Sequence, residues 1–249
     1  MVVKGNYEYK KAIIIDSDRM RQLNSILMLY CEKIEYTACL QNGRTETCKN
    51  IEDLLSAENY DDNRIVKIEI WAHNYQNDNS ISLSIGINDW ESFFFAYATI
   101  CRSRYSLCDR ESAYDYVQAI NKLMNKCKAS YWWISKINYN TVFAVPSMLI
   151  TVYNLMSGKL NNSSISVQAF IIALAIAVLL IVVLKYIDKK LHMTLLSPVN
   201  FVWGEEERRH SKMNTIRSNL LWTVTIGMII GIIAGVVSGR LISILASLF

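Results

Sequence analysis

The chain has 249 residues, 52% of them hydrophobic, and a formal net charge of +4. The charge is unevenly spread: residues 1–137 carry 17 Lys+Arg against 18 Asp+Glu, and residues 138–249 carry 9 against 4. A basic excess confined to an apolar half points to membrane orientation and excludes a nucleic-acid module, which would carry its basic face on the soluble domain.

The opening residues, Met1 to Lys11, are polar and aromatic, without the apolar run of a signal peptide. The first half is therefore expected to stay in the cytoplasm. All six cysteines lie in that half, with no C-x-x-C pair and no zinc spacing. Reduced, mostly buried thiols are expected. Ala12-Ile13-Ile14-Ile15 is a short β-branched strand. Met20, Leu23, Ile26, Leu27 and Tyr30 then recur at helical spacing, with Asp16 or Ser17 as N-cap.

Ile34, Tyr36, Ala38 and Leu40 alternate in a strand that ends at Asn42-Gly43, the signature of a type I′ hairpin returning through Arg44–Cys48. Asn50 or Glu52 opens a short helix with Ile51, Leu54 and Leu55. Arg64–Ala72 and Ser80–Ile87 form a second hairpin around a polar turn at Gln76–Asn79. Trp90–Ile100 is aromatic and ambiguous by period. A long helix is expected from about Asp109 to Ile137, with a stripe of Val117, Ile120, Met124 and Cys127. These elements predict an α+β domain over 1–137: a mainly antiparallel sheet of about five strands with two or three helices.

The second half predicts an all-α transmembrane region of three helices. Tyr139–Met156 is the first span, kinked at Pro146 and carrying a polar side at Asn140, Ser147, Thr151 and Asn154. Trp132, Trp133 and Tyr139 precede it as an interfacial belt, unless the tryptophans close the soluble core. Val167–Ile187 completes a helical hairpin over 138–187. Leu220–Gly239, 20 residues without a charge, is the third span within 218–249, with a re-entrant segment as its rival.

The connection 188–217 joins them. Its apolar part, Leu191 to Trp203, is expected on the inner interface or as a solvated linker. Arg208, Arg209, Lys212 and Arg217 follow it, and would face anionic head groups. Lys and Arg cluster before span one and after span two, which sets the N-terminus and this connection in the cytoplasm. The C-terminus is then outside a cell (inner or plasma) membrane, near Arg240.

No catalytic constellation is visible. Asp16-x-Asp18 has the spacing used by haloacid-dehalogenase-like phosphatases, but Arg19 and Met20 follow it, and helix capping accounts for the pair. There is no Walker loop or G-x-G-x-x-G, and a metal, cofactor or enzyme activity is not expected. The sharpest signal is Gly227, Gly231, Gly235 and Gly239, with Thr223 one step earlier: a flat face every four residues. That face must meet another helix, in the same chain or a second copy. Glycine-lined faces also occur in pore-lining helices of mechanosensitive channels.

The organisation is similar to small bacterial membrane proteins with a cytosolic sensory domain. The expected function is a homo-oligomer in membrane lipid whose cytosolic domain controls a pore or membrane-disrupting output, of the bacterial stress or phage-defence type. The alternative is a membrane-anchored adaptor that docks a cytosolic protein partner through the edge of the Ser80–Ile87 hairpin or the aromatics Phe93–Phe95.

Overall fold

The structure, a computed structural model, describes residues 2–88, 99–136 and 195–220, with Trp222, Thr223 and Ile226. Its elements run β1 (Val3–Tyr9), β2 (Ile13–Asp16), α1 (Ser17–Met28), β3 (Lys33–Leu40), β4 (Thr45–Cys48), α2 (Ile51–Ser56), β5 (Ile65–Asn74), β6 (Asn79–Ile85), β7 (Cys101–Leu107), α3 (Arg110–Lys126) and β8 (Val199–Val202). Six strands form an antiparallel sheet in the order β1-β7-β6-β5-β3-β4. The other two, β2 and β8, pair in parallel. The α+β domain with a mostly antiparallel sheet is what the sequence predicts, with more strands than expected.

One face of the large sheet is dry. The register aligns Tyr36, Ile70, Leu83 and Ser103 in one row, and Ala38, Ile68, Ile85 and Cys101 in the next. These residues are buried. Helices α1 and α3 bring Met20, Leu23, Leu27, Tyr116, Ile120 and Met124 into the same core. Tyr116 Oη and Ser103 Oγ lie 2.6 Å apart, and Tyr7 and Tyr9 donate to Asn121 and Asn125 of α3 at 3.1 Å each. Polar tips on aromatic bodies thus dock the helix on β1 and β7.

The helix starts behave as read. Asp16, Asn50 and Asp109 cap α1, α2 and α3, each accepting from the backbone N–H three residues on. Asp109 accepts from Ser112 N at 2.7 Å, from Ser112 Oγ at 2.7 Å and from Cys108 Sγ at 3.1 Å. The Ser112 backbone bond leads these in holding its carboxyl down, from an ordinary value of 3.8 to about 2. The folded value lies below the unfolded one. Its contribution is therefore complete above the unfolded pKa and is lost as pH falls from about 4 to about 2. Asp109→Asn keeps an acceptor and is expected to flatten that acid limb, read by thermal unfolding at stepped pH. An unchanged acid limb rejects this role for Asp109.

Four expectations need correction. The Asn42-Gly43 turn is not type I′: Gly43 has φ +85, but Asn42 is not among the positive-φ residues. Gly43 N–H bonds Leu40 O and Leu40 N–H bonds Arg44 O, so a three-residue loop ends in a left-handed glycine. One more residue in the loop replaces the I′ turn with this bulged form. Second, α3 stops at Lys126 rather than near Ile137. Cys127 O accepts from Ile14 N–H, and Ala129 N–H donates to Ala12 O, so backbone groups needed to extend the helix serve β2 instead. Of the expected stripe, Ile120, Met124 and Cys127 are buried and Val117 packs partly buried against the core. Residues 127–136 form no continuous helix leading out of the domain.

Third, β6 has no free edge, because β5 and β7 flank it. The sheet's edges are β1 and β4. Fourth, the domain does not end at 137. Val199–Val202 returns to pair with β2, and the first compact unit runs through Glu206.

The second unit starts at Glu207. Residues 206–220 are helical (α4), as are Trp222, Thr223 and Ile226. Among the described residues no helix is long and apolar enough to cross a membrane. All three expected spans lie wholly or largely outside the described residues.

Candidate functional site

The segments that flank residues 137–194 meet in one place. Ala12, Ala129, Tyr131 and Leu196 form a small apolar cluster of their own, with Ile14, Trp132, Ile134 and Leu195 packed against it. Ala12 and Ile14 come from the β2 region, residues 129–134 from the segment after α3, and Leu195 and Leu196 from the returning chain. The segments on either side of residues 137–194 therefore share a single cluster.

Beside it lies a buried polar clasp. Arg64 Nε stands 3.3 Å from Glu206 Oε1, with side chains only 7% and 4% exposed. Arg64 Nη2 also donates to Asn200 Oδ1 at 2.9 Å and to Ser197 Oγ at 3.4 Å. Asn200 Nδ2 donates to Tyr131 Oη at 2.6 Å and to Ser197 O at 3.2 Å. Tyr131 Oη donates to Ser197 O at 3.2 Å. Asn59 completes the set: its Nδ2 donates to Phe201 O at 2.8 Å, and its Oδ1 accepts from Ile65 N–H at 2.9 Å.

Three stretches distant in sequence are joined here: 59–65 ahead of β5, Tyr131 ahead of the exit, and 197–206 after the return. A buried ion pair is costly to form and far costlier to leave half-made. Arg64 and Asn200 each make further hydrogen bonds here, so the arrangement specifies one position for residues 197–206. Glu206 is also the first residue of α4.

The expected site residues are distributed as follows. Trp203 is not at an interface: it is 4% exposed and packs on Phe201 in the main core, with ring centroids 5.7 Å apart. Its run Val199-Asn200-Phe201-Val202-Trp203 alternates because it is a strand, not because it floats on lipid. Trp132 is partly buried on the exit cluster, and Trp133 is 57% exposed. Arg208 and Lys212 are exposed and Arg209 is half-buried, whereas Arg217, expected to face head groups, is buried. Thr223 is exposed and bonds back to Asn219 O. Tyr139, Asn140, Ser147, Thr151, Asn154, Gly227, Gly231, Gly235, Gly239 and Arg240 lie outside the described residues, as do Phe93–Phe95.

Asp16 is engaged in capping, accepting from Arg19 N–H at 2.7 Å. Burial pushes the Cys101 thiol up to about 12 and those of Cys31 and Cys127 to about 11, which keeps them protonated at neutral pH. Among the described residues no group of His, Cys, Asp and Glu is arranged to hold a metal ion.

Arg64, Asn59, Ser197, Asn200 and Glu206 form no motif in the sequence. The alternation Val199, Phe201, Trp203 was the available signal for β8. Nothing local marks Arg64 and Glu206 as partners, since 142 residues separate them. The chain matches no protein-family model, no curated protein and no solved structure.

Proposed function

We propose that this chain is an integral membrane protein. Its cytosolic α+β domain governs a membrane output made by a helical hairpin within 137–194 and a third span after α4. The output is a pore or a membrane-disrupting assembly of several copies, packed through the Gly227, Gly231, Gly235 and Gly239 face. One observation carries the reading: the segments on either side of residues 137–194 pack into the same cluster, and β8 then pairs with β2.

Both ends of the intervening segment are thus on one side of any bilayer. If its apolar runs enter the membrane, they must cross it an even number of times, as a two-span hairpin does. The third apolar run, entered once, then carries the C-terminus to the far side.

The test is dye release or single-channel current from the reconstituted full chain, wild type against Gly231→Leu. Permeability that falls at least about tenfold in the variant is expected, since a leucine fills the close-approach face. An intact wild-type oligomer that never conducts, under any gating condition tried, rejects the pore. The adaptor reading is favoured by the sheet's open face, where Trp71 is 61% exposed between Glu35 and Ser82. A monomer that crosslinks to a soluble protein through that face, and not to itself, supports it.

A further inference from the structure

We infer that the rim of the exit cluster is a binding site for anionic phospholipid head groups, formed by Lys10, Lys11, Lys128 and Lys136 around Trp132 and Trp133. The inference rests on the membrane reading above and adds a lipid class to it.

Lys11 and Lys128 converge on the Trp132 ring, and Lys10 and Lys136 lie near enough for their charges to interact. Lys10 and Lys11 lie between β1 and β2, Lys128 follows α3, and Lys136 is the last described residue before the excursion. Lys11 Nζ lies 5.5 Å from the centre of the Trp132 ring and Lys128 Nζ lies 5.6 Å from it. Lys11 Nζ also stands 6.0 Å from the Tyr9 ring. An ammonium group held over a ring keeps its donors for another acceptor. Glu8 is the carboxylate beside this group, 3.7 Å from Lys10, and it is shared with Arg102 at 3.3 Å.

Lys136 lies within the field of Lys10. Burial pushes its pKa down, and the positive charge of Lys10 pushes it further the same way. An anion bridging the two would reverse the second effect. Phosphodiester oxygens suit the arrangement, because lysine binds phosphate as a compact point charge with three donors.

The aromatic partners fix the occupant as lipid rather than a free anion. Trp132 packs its body on the apolar cluster while its face meets the two ammonium groups. Trp133 is exposed on the same short segment. Amphipathic rings beside lysines, immediately before an apolar run, fit the head-group layer of a cytoplasmic leaflet. The sequence alone places Lys122, Lys126, Lys128 and Lys136 before that boundary; the fold adds Lys10 and Lys11 from the other end of the domain.

The experiment places the full chain in nanodiscs of phosphatidylcholine, alone or mixed with phosphatidylglycerol, and follows hydrogen exchange over 128–136. Exchange is expected to slow in the anionic discs by roughly tenfold or more, and the quadruple Lys→Gln variant at 10, 11, 128 and 136 is expected to lose this difference. The matching quadruple Lys→Arg variant should keep it, as should Lys4→Gln, which removes a charge from the other end of β1. Wild type that inserts equally and exchanges equally in both discs overturns the lipid site and leaves the membrane reading standing. A chain that enters neither disc overturns both. Slowing by inorganic phosphate alone, equal to that in anionic discs, overturns the lipid assignment in favour of a free-anion site.

Discussion

A chain that stops after Lys136 is expected not to fold, whereas one whose residues 137–194 are replaced by a short flexible linker is expected to fold. Truncation removes Val199, Phe201 and Trp203 from the core and strips β2 of its parallel partner. Ile13 and Ile15, both buried, are then exposed along one side. Loss of a buried Phe or Trp side chain costs about 3–5 kcal/mol each, so two of them approach the roughly 5–15 kcal/mol that holds a whole domain folded. The linker version keeps every one of these contacts. About a dozen Gly/Ser residues reach roughly 20 Å, ample for two chain ends that share one cluster. Circular dichroism and thermal unfolding of the two proteins decide the matter. A cooperative melt from the truncated chain, matching that of the linked one, shows that β8 is an accessory.

Arg64→Met is expected to lower the domain's stability by about 3–5 kcal/mol, because Glu206 keeps its burial and loses its cation. For a domain of this size that is a fall in Tm on the order of 10 °C. The hydrogen bonds to Asn200 and Ser197 go with the guanidinium. Arg64→Met with Glu206→Leu is expected to recover most of the loss, since two apolar groups of similar volume replace two charges. The pair is therefore a device of position more than of strength. Thermal unfolding of both variants, with reconstituted flux as a second readout, separates the two roles. Full stability together with altered gating in the double variant makes the clasp a coupling element. A single variant that costs less than about 1 kcal/mol would place the pair among weak surface contacts and remove the case for a clasp.

Much of the first domain can be read from its residues. Strands β3, β5 and β6 announce themselves through aliphatic alternation, and the three caps through Asp or Asn before an apolar period. The misses have physical causes. Strands β1 and β7 turn Gly5, Tyr7, Cys101 and Ser103 to the helices, and a small or hydroxyl-bearing inner face does not look apolar. Here the buried hydroxyls are satisfied by α3 across more than a hundred residues for β1 and by Tyr116 for β7.

Helix α3 seemed longer because its period continues past Lys126, while the backbone groups that would extend it are claimed by β2. Strand β8 was hidden by its company: an apolar run between a presumed span and a basic helix reads as interfacial. Only the tertiary partner shows that Trp203 faces protein. The clasp was illegible for the same reason, since neither Arg64 nor Glu206 has a local feature that names the other.

The pairing of β2 with β8 also sets an order of events during synthesis. Ile13 must wait for Val199, 186 residues later. At about 5–20 residues per second the ribosome needs roughly 10–40 s to deliver it. For that interval the N-terminal segment carries an unpaired strand and an incomplete core, a state that invites wrong partners. If residues 137–194 enter a bilayer meanwhile, the domain can close only after their excursion has come back to the starting side. A hairpin inserted with an odd number of crossings would leave β8 stranded across the membrane and the domain open. Domain closure thus becomes a record that insertion was completed in the right sense, written in a four-residue strand.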